Sequence, residues 1–225
     1  MSETFSLVDS LSLSDLQVYL SRAQRVEDGS VRLIAGSGVL AVYVAVLHPV
    51  GLLDESPTIL GLRTFALTTP DSFDAVVPVR SLLERITRLQ AEVVDPTAAV
   101  TVRLPMQVNT VTWAAISPPR GGWKALEEAP ELVLESVARA GIDEVAEAIP
   151  TGTGEQIVQR IRSEVWGRPI EGLEYVPAGA GFAGLSLGFL GGNDPVRVFE
   201  TGPWTRLTTQ RGHVLVKRRA WSLRS

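Results

Sequence analysis

At 225 residues the chain is long enough for one large domain or two small ones, each with its own core. A hydrophobic content of 45% excludes a disordered polypeptide, and a formal net charge of −4 counts against a protein that coats nucleic acid with its whole surface. Cysteine is absent, which removes disulfides, thiol nucleophiles, thiolate metal sites and redox switching together.

The opening "MSETFSLVDSLSLSD" begins with an acid and lacks a basic region, so no secretory leader is expected. Ser14 and Gln17 form a capping box, which predicts a helix carrying Leu16, Tyr19, Leu20, Ala23 and Val26 at helical spacing. "EDGS" ends it. "VRLIA", the turn "GSG" and "VLAVYVAVL" then read as a hairpin rich in β-branched residues. The apolar run ending in that hairpin is broken by His48 and Pro49, too short to cross a bilayer comfortably. A soluble, cytoplasmic protein is the expectation.

"TILGLRTFAL" reads as a third strand and "DAVVPV" as a short one, feeding a helix lined by Leu82, Leu83, Ile86 and Leu89. "AVTVRL" alternates as a strand, and "QVNTVTWAAI" reads as another after Pro105. Meandering strands with segregated helices predict an α+β domain over 1–117, an antiparallel sheet with helices on one face. "SPPRGGW" punctuates the chain as a linker or elbow. Beyond it, 118–225 reads as a smaller helical domain ending in a β-hairpin.

In that half, Pro130 starts a helix that ends at Gly141, and Ile142, Val145, Ala146 and Ile149 form a second apolar stripe. Thr153 and Gln156 make another capping box, opening a helix with Ile157, Val158, Ile161 and Val165 on one side. "PAGAGFAGLSLGFLGG" fits strand or helix spacing; the reading taken is a buried helix whose glycines permit close packing. The end reads as two or three strands with a turn at Arg211-Gly212.

Chemistry is sparse. Gly179, Gly181 and Gly184 spell GxGxxG, yet the motif lies about forty residues from the end and outside any βαβ unit, so no dinucleotide site is expected. "TGTGE" lacks the Lys-Ser/Thr of a phosphate loop. There are two histidines: His48 ends an apolar strand, and His213 sits among bases that depress its pKa. Asp143, Glu144 and Glu147 share a helix face but read as solvated surface. No catalytic set, cofactor or metal site is expected.

The remaining feature is the basic end. After Glu200 six Arg and Lys follow without an acid, whereas 118–200 holds thirteen acids and seven bases. Candidate interaction residues are Trp204, Arg206, Arg211, His213, Lys217, Arg218, Arg219 and Trp221. A basic strip with aromatics can grip single-stranded nucleic acid. A winged-helix variant would put Gln156, Gln159, Arg160, Arg162 and Ser163 in a groove. The preferred reading is that the strip neutralises acidic neighbours within the domain or across a subunit contact. The expected function is therefore protein interaction or assembly, as a homo-oligomer or with a protein partner; a nucleic-acid-binding regulator is the alternative. "SPPRGGW", "EVWGRP" and "GPWTRLTTQRGHVLV" also resemble uncharacterised cytoplasmic proteins of actinobacteria, and that resemblance implies no activity or site.

Overall fold

The computed structural model describes residues 3–51, 54–149, 152–192 and 195–218. In chain order the elements are β1 (Thr4–Leu7), α1 (Ser10–Val26), β2 (Ser30–Gly36), β3 (Val39–Leu47), β4 (Thr58–Ala66), β5 (Phe73–Pro78), α2 (Val79–Glu92) and β6 (Val100–Arg103). A 3-10 turn at Thr112–Ala115 precedes β7 (Lys124–Ala125), α3 (Glu131–Ala148), α4 (Glu155–Gly167), β8 (Pro169–Ile170) and β9 (Leu173–Pro177). The chain closes with α5 (Ala178–Ser186), β10 (Arg197–Thr201), β11 (Trp204–Thr208) and β12 (His213–Lys217). The fold is mixed, with a large antiparallel sheet in the order β5-β2-β3-β4-β12-β11-β10-β7. Contacts gather the chain into two compact units, 1–45 with 62–116, and 46–61 with 117–225.

The first unit contains a β-α-β arrangement twice, β1-α1-β2 and β5-α2-β6. β1 pairs with β6 and β2 with β5, all antiparallel, so exchanging the copies maps one pairing onto the other. The sequence shows no such repeat. α1 and α2 pack together, and Gln17 Nε2 donates to Thr87 Oγ1 across them at 3.0 Å. β2 alternates buried and half-buried residues along its length, as a strand with one covered face must. β3 alternates until Val44, after which Ala45, Val46 and Leu47 are all buried. In the hairpin turn Ser37 (φ 53°) and Gly38 (φ 77°) supply the positive φ values, so Ser37 and not Gly36 shares that conformation with Gly38.

Several expectations are corrected here. α1 starts at Ser10, four residues before Ser14, because the Asp9 carboxylate accepts from the Ser12 N–H at 2.7 Å and caps the helix earlier. "QVNTVTWAAI" holds a 3-10 turn and extended segments instead of a strand; Val108 N donates to Val76 O in the manner of a ladder contact.

In the second unit, α3 runs unbroken through Gly141. A Cβ at Gly141 would lie 2.3 Å from Trp166 Cζ3, so the glycine admits a ring instead of ending a helix. α4 is capped by Gly154, not Thr153, and Ile157 is 56% exposed, so the buried side of this helix is Val165 and Trp166. α5 is a buried helix as expected; six of its residues are buried, and Trp166 stacks on Phe182 at 4.2 Å between centroids.

Candidate functional site

β10, β11 and β12 form a regular antiparallel meander, and its register sorts the C-terminal side chains onto two faces. Residues directly opposite one another share a face. One face carries Val198, Leu207, Val214 and Val216, all buried on the side where β12 meets α5. Thr205 belongs to this face, which is why it is fully buried and not near the surface as its polarity indicates.

The other face is built from the pairs Phe199–Arg206, Thr208–His213 and Trp204–Lys217, with Arg197 opposite Thr208 and Leu215 opposite Arg206. Four of the expected interaction residues, Trp204, Arg206, His213 and Lys217, are therefore brought together on one surface. Trp204 is only 4% exposed, so its ring is part of the packing and is not offered to a partner. Arg211 sits at the turn, exposed, and its guanidinium donates to Leu190 O at 3.3 Å. Arg218 lies just past β12 and turns to the strand edge, donating to Gly202 O at 2.9 Å and facing Glu200 at 3.8 Å. Arg219 and Trp221 lie outside the described residues.

Arg206 is the centre of this face. Its guanidinium lies 4.5 Å from the Trp123 ring centroid and 4.6 Å from that of Phe199, a cation in contact with two aromatic side chains. Phe199 is placed by strand register and Trp123 by the elbow that leads to β7, where its indole N–H donates to Pro119 O at 3.1 Å. The Arg206 Nε is buried without a hydrogen-bond partner among the described residues. Burial, and then the charge of Arg197, push the Arg206 pKa below its ordinary value. His213 Nδ1 lies 3.1 Å from Thr208 Oγ1, and burial, followed by Arg206 and Arg197, holds its imidazole below the usual range. Arg197, Phe199 and Trp123 escape a reading by composition; the register opposite Arg206 and Thr208 is the signal that finds them.

Beside the turn, a cleft of about 460 Å³ is lined by Arg197, Arg211, Thr208, Thr209, Glu128 and Glu131, among others. The Glu131 carboxylate accepts from the backbone N–H groups of Gly191 and Gly192, and so fixes the loop after α5. Elsewhere, Asp143, Glu144 and Glu147 are exposed on α3, and Glu144 pairs with Arg168 at 2.8 Å. No His/Asp/Glu group among the described residues has the arrangement to hold a metal ion. No helix is long and apolar enough to cross a membrane among the described residues. The GxGxxG glycines lie inside α5, where Gly181 faces the Leu134 carbonyl and Gly184 the Leu190 side chain. β8, β9 and α5 intervene between α4 and the hairpin, so nothing in the arrangement favours the winged-helix regulator.

Residues 1–105 match a domain of unknown function, DUF8010, and residues 118–221 match another, DUF8185. No curated protein matches the chain. Among solved structures the fold is similar to Caulobacter crescentus pol III beta, with a TM-score of 0.52 and 11% identity, covering 98% of this chain and 66% of that one. The DNA polymerase sliding clamp from the same organism aligns with a TM-score of 0.49 at 13% identity, over 100% of this chain and 67% of the other. The sliding clamp from Pseudomonas aeruginosa gives 0.49 at 12% identity, over 100% and 66%. This chain thus spans about two thirds of the length of the structures it resembles.

Proposed function

We propose that this chain is a non-catalytic scaffold of clamp-like fold that works by assembling with copies of itself and by binding protein partners. The observation that carries the reading is the likeness to the pol III beta structure across 98% of the chain. One further feature supports it: the most organised polar surface is a cationic sheet face instead of an enclosed pocket. Residues 1–117 and 118–225 are read as the two domains, an α+β sheet domain and a more helical one ending in β-strands. The two family matches, one ending at 105 and the other starting at 118, support that division.

Sedimentation velocity tests the reading. A species at a multiple of 24.2 kDa is expected at micromolar concentration. Nucleotides and divalent metals are expected to leave the melting temperature unchanged, since a ligand that binds only the native state must raise it. A strictly monomeric protein at every concentration, or saturable stabilisation by a nucleotide, overturns the proposal. The domain division has its own test. Fragment 1–117 is expected to unfold cooperatively but to self-associate, because Val46, Leu47, Ile59 and Leu60, all buried in the chain, group with the second unit. A molten fragment contradicts the division.

A further inference from the structure

We propose that the face of β10–β12 opposite α5, together with the cleft at its turn end, docks a short acidic segment of a partner protein, whose carboxylates meet Arg197, Arg206, Arg211 and Lys217. The proposal rests on the scaffold reading and names the partner's chemistry.

The first argument is charge. None of these four cations has a carboxylate within salt-bridge distance among the described residues, although Glu128 and Glu131 line the cleft. Glu131 is engaged by the Gly191 and Gly192 amides. The Arg206 and His213 titrations are moved by burial and by neighbouring cations, not by acids. Among the described residues of the basic end, neutralisation within the domain accounts for the Arg218–Glu200 pair.

The second argument is the Arg206 cage. Two rings lie within 4.6 Å of the guanidinium carbon and hold the group on this face, and the planar fork of donors on a guanidinium suits a carboxylate. The same cage counts against single-stranded nucleic acid: Trp123 and Phe199 each spend a ring face on Arg206 and Trp204 is buried, which leaves fewer ring faces among the described residues of this surface to stack a base. A second copy is disfavoured too. The large apolar side chains of this face, Trp204 and Leu215, are already buried, and a stable interface needs about 800 Å² per partner around an apolar centre. Five-residue strands extend about 17 Å, the span of a five- or six-residue extended peptide.

The experiment is an NMR titration of the full chain with capped hexaglutamate, with hexalysine and a charge-matched single-stranded DNA as controls. Saturable shifts of the Trp123 indole, Arg206 Nε–H and His213 resonances are expected with hexaglutamate alone, weakening as salt rises. Arg206→Gln with Lys217→Ser is expected to weaken binding at least tenfold with an unchanged melting curve. Arg206→Lys, which keeps the charge but loses the planar fork, is expected to weaken it less, and it serves if the double variant unfolds. Absence of saturable shifts, equal binding by the variants, or tighter binding of the DNA overturns the proposal. Sedimentation of the same samples separates the two readings: loss of peptide binding with assembly intact supports this site, whereas loss of assembly in the variants makes the face a contact between copies and overturns it.

Discussion

Gly181→Ala is a one-methyl test of what the glycine-rich stretch does. At an open helical site the change stabilises, by about 1 kcal/mol from helix propensity and the reduced freedom of the unfolded chain. Gly181 is not open. Its added Cβ would lie 2.6 Å from the Leu134 carbonyl oxygen, an atom of the α3 backbone that cannot rotate away. α3 and α5 must then move apart, and overpacking of this kind costs about 1–3 kcal/mol. Because the contact is with backbone, the cost falls in the upper part of that range, about 2–3 kcal/mol, so after the propensity gain a net loss of about 1–2 kcal/mol is expected, which for a chain of this size lowers Tm by roughly 2–8 °C.

Gly184→Ala is the matched control in the same helix. Its Cβ meets the Leu190 side chain at 3.0–3.3 Å, and a leucine can change rotamer, so stability within about 1 kcal/mol of wild type is expected. Urea unfolding followed by tryptophan fluorescence and far-UV dichroism measures both variants. If Gly181→Ala is as stable as wild type, or if it loses only a nucleotide-dependent stabilisation, α5 is not held by close packing on α3 and the argument fails.

Thr205 is fully buried and its hydroxyl has no hydrogen-bond partner among the described residues, so Thr205→Val is expected to stabilise the chain by about 1 kcal/mol in the same unfolding assay. Glu131→Ala frees the Gly191 and Gly192 amides and is expected to cost about 1–3 kcal/mol, with faster hydrogen exchange confined to the loop after α5. His213 has its folded pKa depressed by burial and by Arg206 and Arg197, so below its unfolded value of about 6.5 the unfolded chain takes up the proton first. Stability is therefore expected to fall as pH drops below that value and to level off below the folded pKa. His213→Asn is expected to flatten that window in pH-dependent melts.

Much of the fold is legible where periodicity and burial agree. β2 and the first half of β3 are read correctly because one face of each is covered, which imposes alternation on the residue types, whereas β11 and β12 carry buried residues on both faces. The helix boundaries are less legible, and for local reasons. "SDLQ" is a good capping box, but Asp9 is an equally good cap five residues earlier, and the buried Ser10 and Leu13 favour the longer helix. Gly141 looks like a stop because its partner, Trp166, is twenty-five residues away. Close approach of a distant ring leaves no mark in the neighbouring sequence.

The basic end shows most clearly what composition omits. Six cations without an acid look like a single feature, yet the strands divide them. Arg206 and Lys217 share a sheet face, Arg211 belongs to a turn, and Arg218 is spent on Glu200 and a carbonyl. Residues outside the basic run complete the face. Arg197 precedes it, Phe199 arrives through register, and Trp123 comes from the elbow that reads as a mere linker. Trp204, the most conspicuous aromatic of the run, turns out to be buried. A cation strip on a solvated hairpin would exchange partners freely. A guanidinium held against two rings, with its Nε buried and the Arg197 cation acting on it, has few ways to recover its lost hydration except by meeting an anion.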